Sequence, residues 1–182
     1  MDYPTARQQI KTGDVLAIRG RTAFARLTAL VQRLGGLGAL SGVSHMGVGW
    51  WIDGRLYSVE MDGQHNVLRP LSQHIAAGCA VEVYRNPVPE AMAAQFERAT
   101  ATAIPYSVMD LILIAARLLL GAQTPPDRGG LVCSTFVTRW LQWAGWLWPM
   151  GLPSMPAPAE VCRALGLPRI TIEQNTKQST HA

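Results

Sequence analysis

The chain has 182 residues, of which 48% are hydrophobic and only 15% charged, with a formal net charge of +4. High hydrophobicity with low charge excludes global disorder, and the length suits one domain with a core of its own. The cationic excess, 16 Lys+Arg against 12 Asp+Glu, consists of scattered arginines without a basic run or zinc-finger spacing, so no specific nucleic-acid partner is expected.

Residues 1–13 read as a polar lead-in to a β-capable run at 14–18. Phe24, Leu27, Leu30, Val31 and Leu34 recur at helical spacing and predict a helix over 22–34 with one apolar face. Glycines 35, 36 and 38 end it and open a flexible loop to Gly42. A strand over 44–51, the Asp53-Gly54 turn and a returning strand over 55–60 predict a hairpin. Asp62-Gly63 makes a second turn, followed by strands at 67–69 and 80–84 around a helical turn at 71–77. Glu82 alternates with Val81 and Val83, which predicts a solvated strand face.

The second half reads as helical. One helix is expected over 88–102, and a second, apolar enough to be buried, over 107–120. A loop at 124–130 leads into a third helix over 133–145. Prolines 149, 153, 156 and 158 mark a wrap-around segment to residue 172, with a helical turn at 159–165, and a polar tail fills 173–182. The expectation is a single domain over 1–172 with its core at 13–145.

Three cysteines, Cys79, Cys133 and Cys162, form no Cys-x-x-Cys pair. An odd, sparse set argues against a disulfide framework and a cysteine-only metal site. His45, Glu60, Asp62 and His65 lie close in sequence, but without helical His-x-x-x-His spacing they make a poor metal site. No cofactor or metal is expected. The first residues lack an apolar stretch behind a basic start, and the run from Leu111 to Leu120 is short and broken by Arg117. Neither a signal peptide nor a transmembrane segment is expected. The predicted chain is cytoplasmic at synthesis, reaching an outside target by lysis, by signal-less secretion or within a virion, with peripheral membrane contact still open.

Cys133 follows a Gly-Gly pair and opens an amphipathic helix, where the positive end of the helix dipole favours a thiolate. Its backbone N–H, with Ser134 beside it, is a candidate for holding an oxyanion. Cys79 and Cys162 lack that setting and read as inert. The Asp53-Gly54 turn pairs position 47 with 60, which brings Glu60 near His45. A carboxylate there orients one imidazole nitrogen and leaves the other for a thiol. Each residue also has a plain structural reading, a buried cysteine or a strand-end histidine. His65, His74 and His181 read as surface residues.

Taken in order, Gly13-Asp14-Val15, Ser44-His45-Met46-Gly47-Val48, Tyr57-Ser58-Val59-Glu60, Tyr84-Arg85 and Cys133-Ser134-Thr135-Phe136-Val137 resemble the NlpC-type papain-like cysteine hydrolases. The histidine strand precedes the cysteine helix, as in their circularly permuted branch, which is related to the lecithin:retinol acyltransferase-like group. The resemblance implies an α+β, papain-like, circularly permuted fold. A small antiparallel sheet or partial barrel would pack on a helical half, with the cysteine at a helix N-terminus. It implies Cys133 as nucleophile, His45 as general base, Glu60 as the orienting residue, and Tyr106 as a pocket or oxyanion residue. The 22–42 segment would be an insertion beside the histidine strand that shapes or covers the cleft, and the 107–120 helix would pack inside or form an acyl-accepting wall.

The implied reaction passes through a thioester. The expected substrate is an amide in peptidoglycan stem peptides. Open alternatives are an acyl-lipid or thioester substrate, a protein peptide or isopeptide bond, and an inactive cleft-binding module. Trp140, Trp143, Trp146 and Trp148, with the apolar helix, fit the lipid alternative or a packed C-terminal wrap.

Overall fold

The computed structural model describes residues 1–123 and 130–172, so the expected 173–182 tail and nearly all of the 124–130 loop lie outside the described residues. Six strands, β1 (Val15–Arg19), β2 (His45–Ile52), β3 (Arg55–Met61), β4 (Asn66–Pro70), β5 (Ala80–Tyr84) and β6 (Ile170–Ile172), form one sheet ordered β4-β3-β2-β1-β5-β6. Every pairing is antiparallel. Eight helices accompany it among the described residues: α1 (Tyr3–Arg7), α2 (Ala23–Leu34), α3 (Leu71–Ala76), α4 (Pro89–Ala94), α5 (Phe96–Thr100), α6 (Val108–Leu120), α7 (Cys133–Trp143) and α8 (Pro158–Leu165). The molecule is α+β.

The two-residue period divides the sheet. Val15, Ala17, Met46, Val48, Val59 and Met61 join the core built with Phe136, Val137, Trp140 and Leu141 of α7. Leu16, Ile18, Val81 and Val83 point the other way, onto Ala6 and Ile10 at the N-terminus and Leu71 of α3. The tryptophans of the cysteine helix, Trp140 and Trp143, therefore pack the core. Trp140 is fully buried, and Trp50 stacks on Phe96 with centroids 4.2 Å apart beside it. Trp143 and Trp146 pack against the same core.

Several local expectations change. The lead-in contains α1, capped by Asp2, whose carboxylate accepts from the Thr5 N–H at 3.0 Å. The helix expected over 88–102 breaks at Gln95, where the Met92 carbonyl accepts from the Gln95 N–H and from Trp140 Nε1, both at 3.1 Å. The glycine loop tightens into a 3-10 turn at Gly38–Gly42. Gln32 holds that turn: its Nε2 donates to the carbonyls of Ser41 and Val43, and its Oε1 accepts from the Ala159 N–H at 3.0 Å. One buried amide thus ties α2 to the start of β2 and to α8.

Glu82 is not solvated. Its carboxylate accepts from Arg19 Nε at 2.7 Å and from the Tyr84 hydroxyl at 2.9 Å, and the residue is buried. β6, three residues long and too short to show a period, pairs with β5 and covers that edge. The largest correction concerns α6, for which burial was one of two expectations, the other being a wall of the cleft. Only Asp110 and Ile114 of its 13 residues are buried. It leans on α2 and, through an Arg117–Glu160 ion pair, on α8, and leaves its outer side uncovered by the described chain.

Candidate active site

The N-cap of α7 is Val132, in extended conformation, and Cys133 is the first helical residue. Thr135 sets this start: its Oγ1 accepts from the Val132 N–H at 2.9 Å and donates to the Val132 carbonyl at 3.0 Å. Leu131 donates its N–H to the Pro105 carbonyl and accepts from the Ser107 N–H, both at 3.1 Å. Gly130 permits that approach, since a Cβ there would lie 2.9 Å from the Ser107 Cβ. The pairing carries Tyr106 to the site.

His45 is the first residue of β2, and its partner strand has the expected register, with Gly47 opposite Glu60. Gly47 leaves room for the carboxylate: a side chain there would collide with the Ser58 hydroxyl and press on the Glu60 Cβ at 3.2 Å. Glu60 is fully buried and gathers three basic side chains. His45 Nε2 lies 3.4 Å from Oε2, His74 Nε2 2.8 Å from Oε2, and Arg69 Nη1 3.2 Å from Oε1.

His74 is therefore not a surface residue. Leu71 and His74 are three apart and form the buried side of α3, which lays the imidazole on Glu60. The Leu71–His74 spacing was the signal in the sequence; the partner to which it pointed becomes visible only once the strands pair. Of the weak metal set, His45 and Glu60 meet, while Asp62 is exposed and caps the turn by accepting from the Gln64 and His65 N–H groups. Among the described residues no group of three or more His, Cys, Asp or Glu could hold a metal ion.

The charges support one another. Burial would raise the Glu60 carboxyl, but hydrogen bonds from His45 and His74, and then their charges, hold it well below the usual carboxylate range. Burial likewise pushes His45 down. The charge of a Cys133 thiolate, its hydrogen bond to the ring, and Glu60 outweigh that and lift the imidazole to about 10. Because Nε2 faces Glu60, Nδ1 is the nitrogen left for the thiol. The Tyr106 hydroxyl is raised by burial and by the Cys133 charge, which keeps it a proton donor. Ser134 Oγ is buried and has no hydrogen-bond partner. Cys133, His45 and Glu60 thus come together, with Tyr106 and Ser134 beside them. Cys162 is pushed up to about 12, chiefly by burial, and Cys79 is also raised by burial.

Two spaces meet at His45. A cavity of about 220 Å³ runs between α2 and α6 and ends on His45, Tyr106, Cys133 and Ser134. Its walls are apolar: Phe24, Leu27 and Val31 from α2, and Leu111, Ile114 and Leu118 from α6. A wider groove of about 790 Å³, which shares Phe24, Ser44, His45, Tyr106 and Leu111 with the cavity, carries Arg21, Asp62, Arg69 and His74. None of the four tryptophans at 140–148 lines either space.

No protein-family model matches the chain, and no curated protein matches it. Among solved structures, the crystal structure described as metalloprotein yiiX from Escherichia coli O157:H7, DUF1105, is 20% identical, covering 75% of this chain and 67% of that one, with a TM-score of 0.48. Similarity of that degree carries no argument about activity or metal binding.

Proposed function

We propose that this chain is a cysteine acyl hydrolase or acyltransferase of the circularly permuted papain-like type, acting on an ester, thioester or amide whose acyl part is a hydrocarbon chain. The observation that carries the reading is the apolar cavity ending on Cys133 and His45. An acyl chain laid between α2 and α6 would present its carbonyl carbon to the thiol. The polar leaving group would then lie in the open groove beside Arg21 and Arg69. The expected stem-peptide substrate is charged and polar and would gain little from those walls.

In the proposed reaction the Cys133 thiolate attacks the carbonyl carbon, and the electron pair moves to oxygen, where the Cys133 N–H, Ser134 Oγ and Tyr106 hydroxyl are the donors at hand. Collapse breaks the bond to the leaving group, which takes its proton from the His45 imidazolium. A thioester remains on Cys133. His45, now neutral, removes a proton from water or another acceptor, which attacks the thioester and releases the acyl product. Glu60 holds the ring and stabilises its charge, with His74 and Arg69 holding Glu60 in turn.

A series of straight-chain acyl thioesters tests this. Each methylene buried in the cavity is worth about 0.8 kcal/mol, so kcat/KM should climb about fourfold per methylene until the cavity is full. Indifference to chain length together with turnover of muropeptides would overturn the acyl reading and favour the cell-wall one.

A further inference from the structure

α2 and α6 present a broad apolar surface that nothing among the described residues covers. On α2, Phe24, Leu27, Leu30 and Leu34 are 52, 57, 51 and 68% exposed. On α6, Val108, Met109 and Ile112 are each more than half exposed, and Leu120 reaches 82%. The helices are neighbours: a Cβ on Gly35, at the end of α2, would lie 2.9 Å from the Leu118 Cβ. Single exposed leucines are ordinary, whereas two adjoining stripes mark an interaction surface. Phe24, Leu27 and Ile112 are both exposed and part of the cavity lining, so the stripes form the rim of its mouth.

Charge identifies the partner. Between residues 15 and 52 the chain contains no Asp or Glu, while Arg21, Arg26 and Arg33 are exposed around α2. α6 adds one carboxylate, Asp110, which is buried, and its arginine, Arg117, is paired with Glu160. A second copy set against this face would bring like charges together. An anionic lipid surface satisfies both features, taking leucines into the acyl layer and arginines among the head groups. No helix among the described residues is long and apolar enough to cross a membrane.

We propose that the α2–α6 face docks on an anionic lipid bilayer and turns the cavity mouth toward its acyl chains. Docking stands on the surface alone; delivery of a lipid chain to Cys133 rests on the acyl reading above. The test is co-sedimentation of the full chain with vesicles of phosphatidylcholine, with and without about 30% phosphatidylglycerol. The anionic vesicles should retain the protein, and high salt should weaken retention. Leu30→Asp with Leu34→Asp, at positions already open to solvent and outside the cavity lining, should weaken retention roughly tenfold or more at an unchanged melting temperature. Arg26→Gln and Arg33→Gln should each cost about fivefold. Cys133→Ala should bind as the parent does, which reads docking apart from turnover. Failure of the parent to bind anionic vesicles, or equal retention of the leucine variant, would overturn the proposal. So would a dimer in solution that the leucine variant splits, which would assign the face to a second copy.

Discussion

Cys133 and Cys162 sit in the same apolar core on α7 and α8, both buried, yet their surroundings differ. Cys133 begins its helix and faces an imidazole supported by a buried carboxylate. Cys162 lies inside its helix against the Tyr84 hydroxyl, and burial keeps it a thiol. Burial is common to both, whereas position on the helix and the basic neighbour are not, and in this chain that neighbour, His45, rests on Glu60, which also meets His74 and Arg69.

Replacing each cysteine breaks the comparison most sharply. Cys133→Ala should lower acyl-thioester turnover by about 10⁴-fold or more, since it removes the proposed nucleophile. Cys162→Ala should stay within a few-fold of the parent. Comparable losses in the two variants, measured by steady-state kinetics, would erase the distinction.

Glu60→Gln should be next in size. Without the carboxylate the imidazolium loses its support, so kcat/KM should fall roughly 10²-fold. The His45 ring resonance, followed by NMR, should titrate well below its parent value. An unmoved His45 titration would show that Glu60 does not hold the ring.

Stability should follow pH with the same partners. His45 is raised from 6.5 to about 10 in the folded state, so its contribution is complete below pH 6.5 and is lost as pH climbs toward 10. Glu60 is lowered, so its contribution is complete above pH 4.5 and is lost as pH falls toward its depressed folded value. In Cys133→Ser the thiolate support for His45 is gone, and the alkaline decline in melting temperature should flatten. Identical alkaline slopes would argue against the Cys133–His45 coupling.

Gln32→Leu sharpens the comparison from the side of the cavity. It leaves two carbonyls and the Ala159 N–H without their partner, so it should cost about 1–3 kcal/mol in denaturant unfolding and loosen α2. A stability equal to the parent's would mean that α2 is held by other contacts.

Much of this was legible in the chain itself. The Asp53-Gly54 turn set the β2–β3 register and placed Glu60 by His45, and the Gly-Gly approach to Cys133 announced the start of α7. His74 was not legible as a partner, because its exposure depends on where β3 carries Glu60. The helical period of α2 and α6 showed apolar faces but not whether anything covers them. Gln32 looked like one polar residue on an apolar helix, and its three hydrogen-bond partners come from segments that meet only in the folded chain.

The central claim is that Cys133, activated by His45, receives an acyl group from the cavity. Intact-mass spectrometry of the protein mixed with a long-chain acyl thioester, followed by peptide mapping, measures this directly. The account predicts a single acyl adduct on Cys133 that is absent in Cys133→Ala and forms far more slowly when His45 is replaced by a residue unable to activate the thiol. An adduct on Cys79 or Cys162, or none on Cys133 while the thioester is consumed, would contradict it.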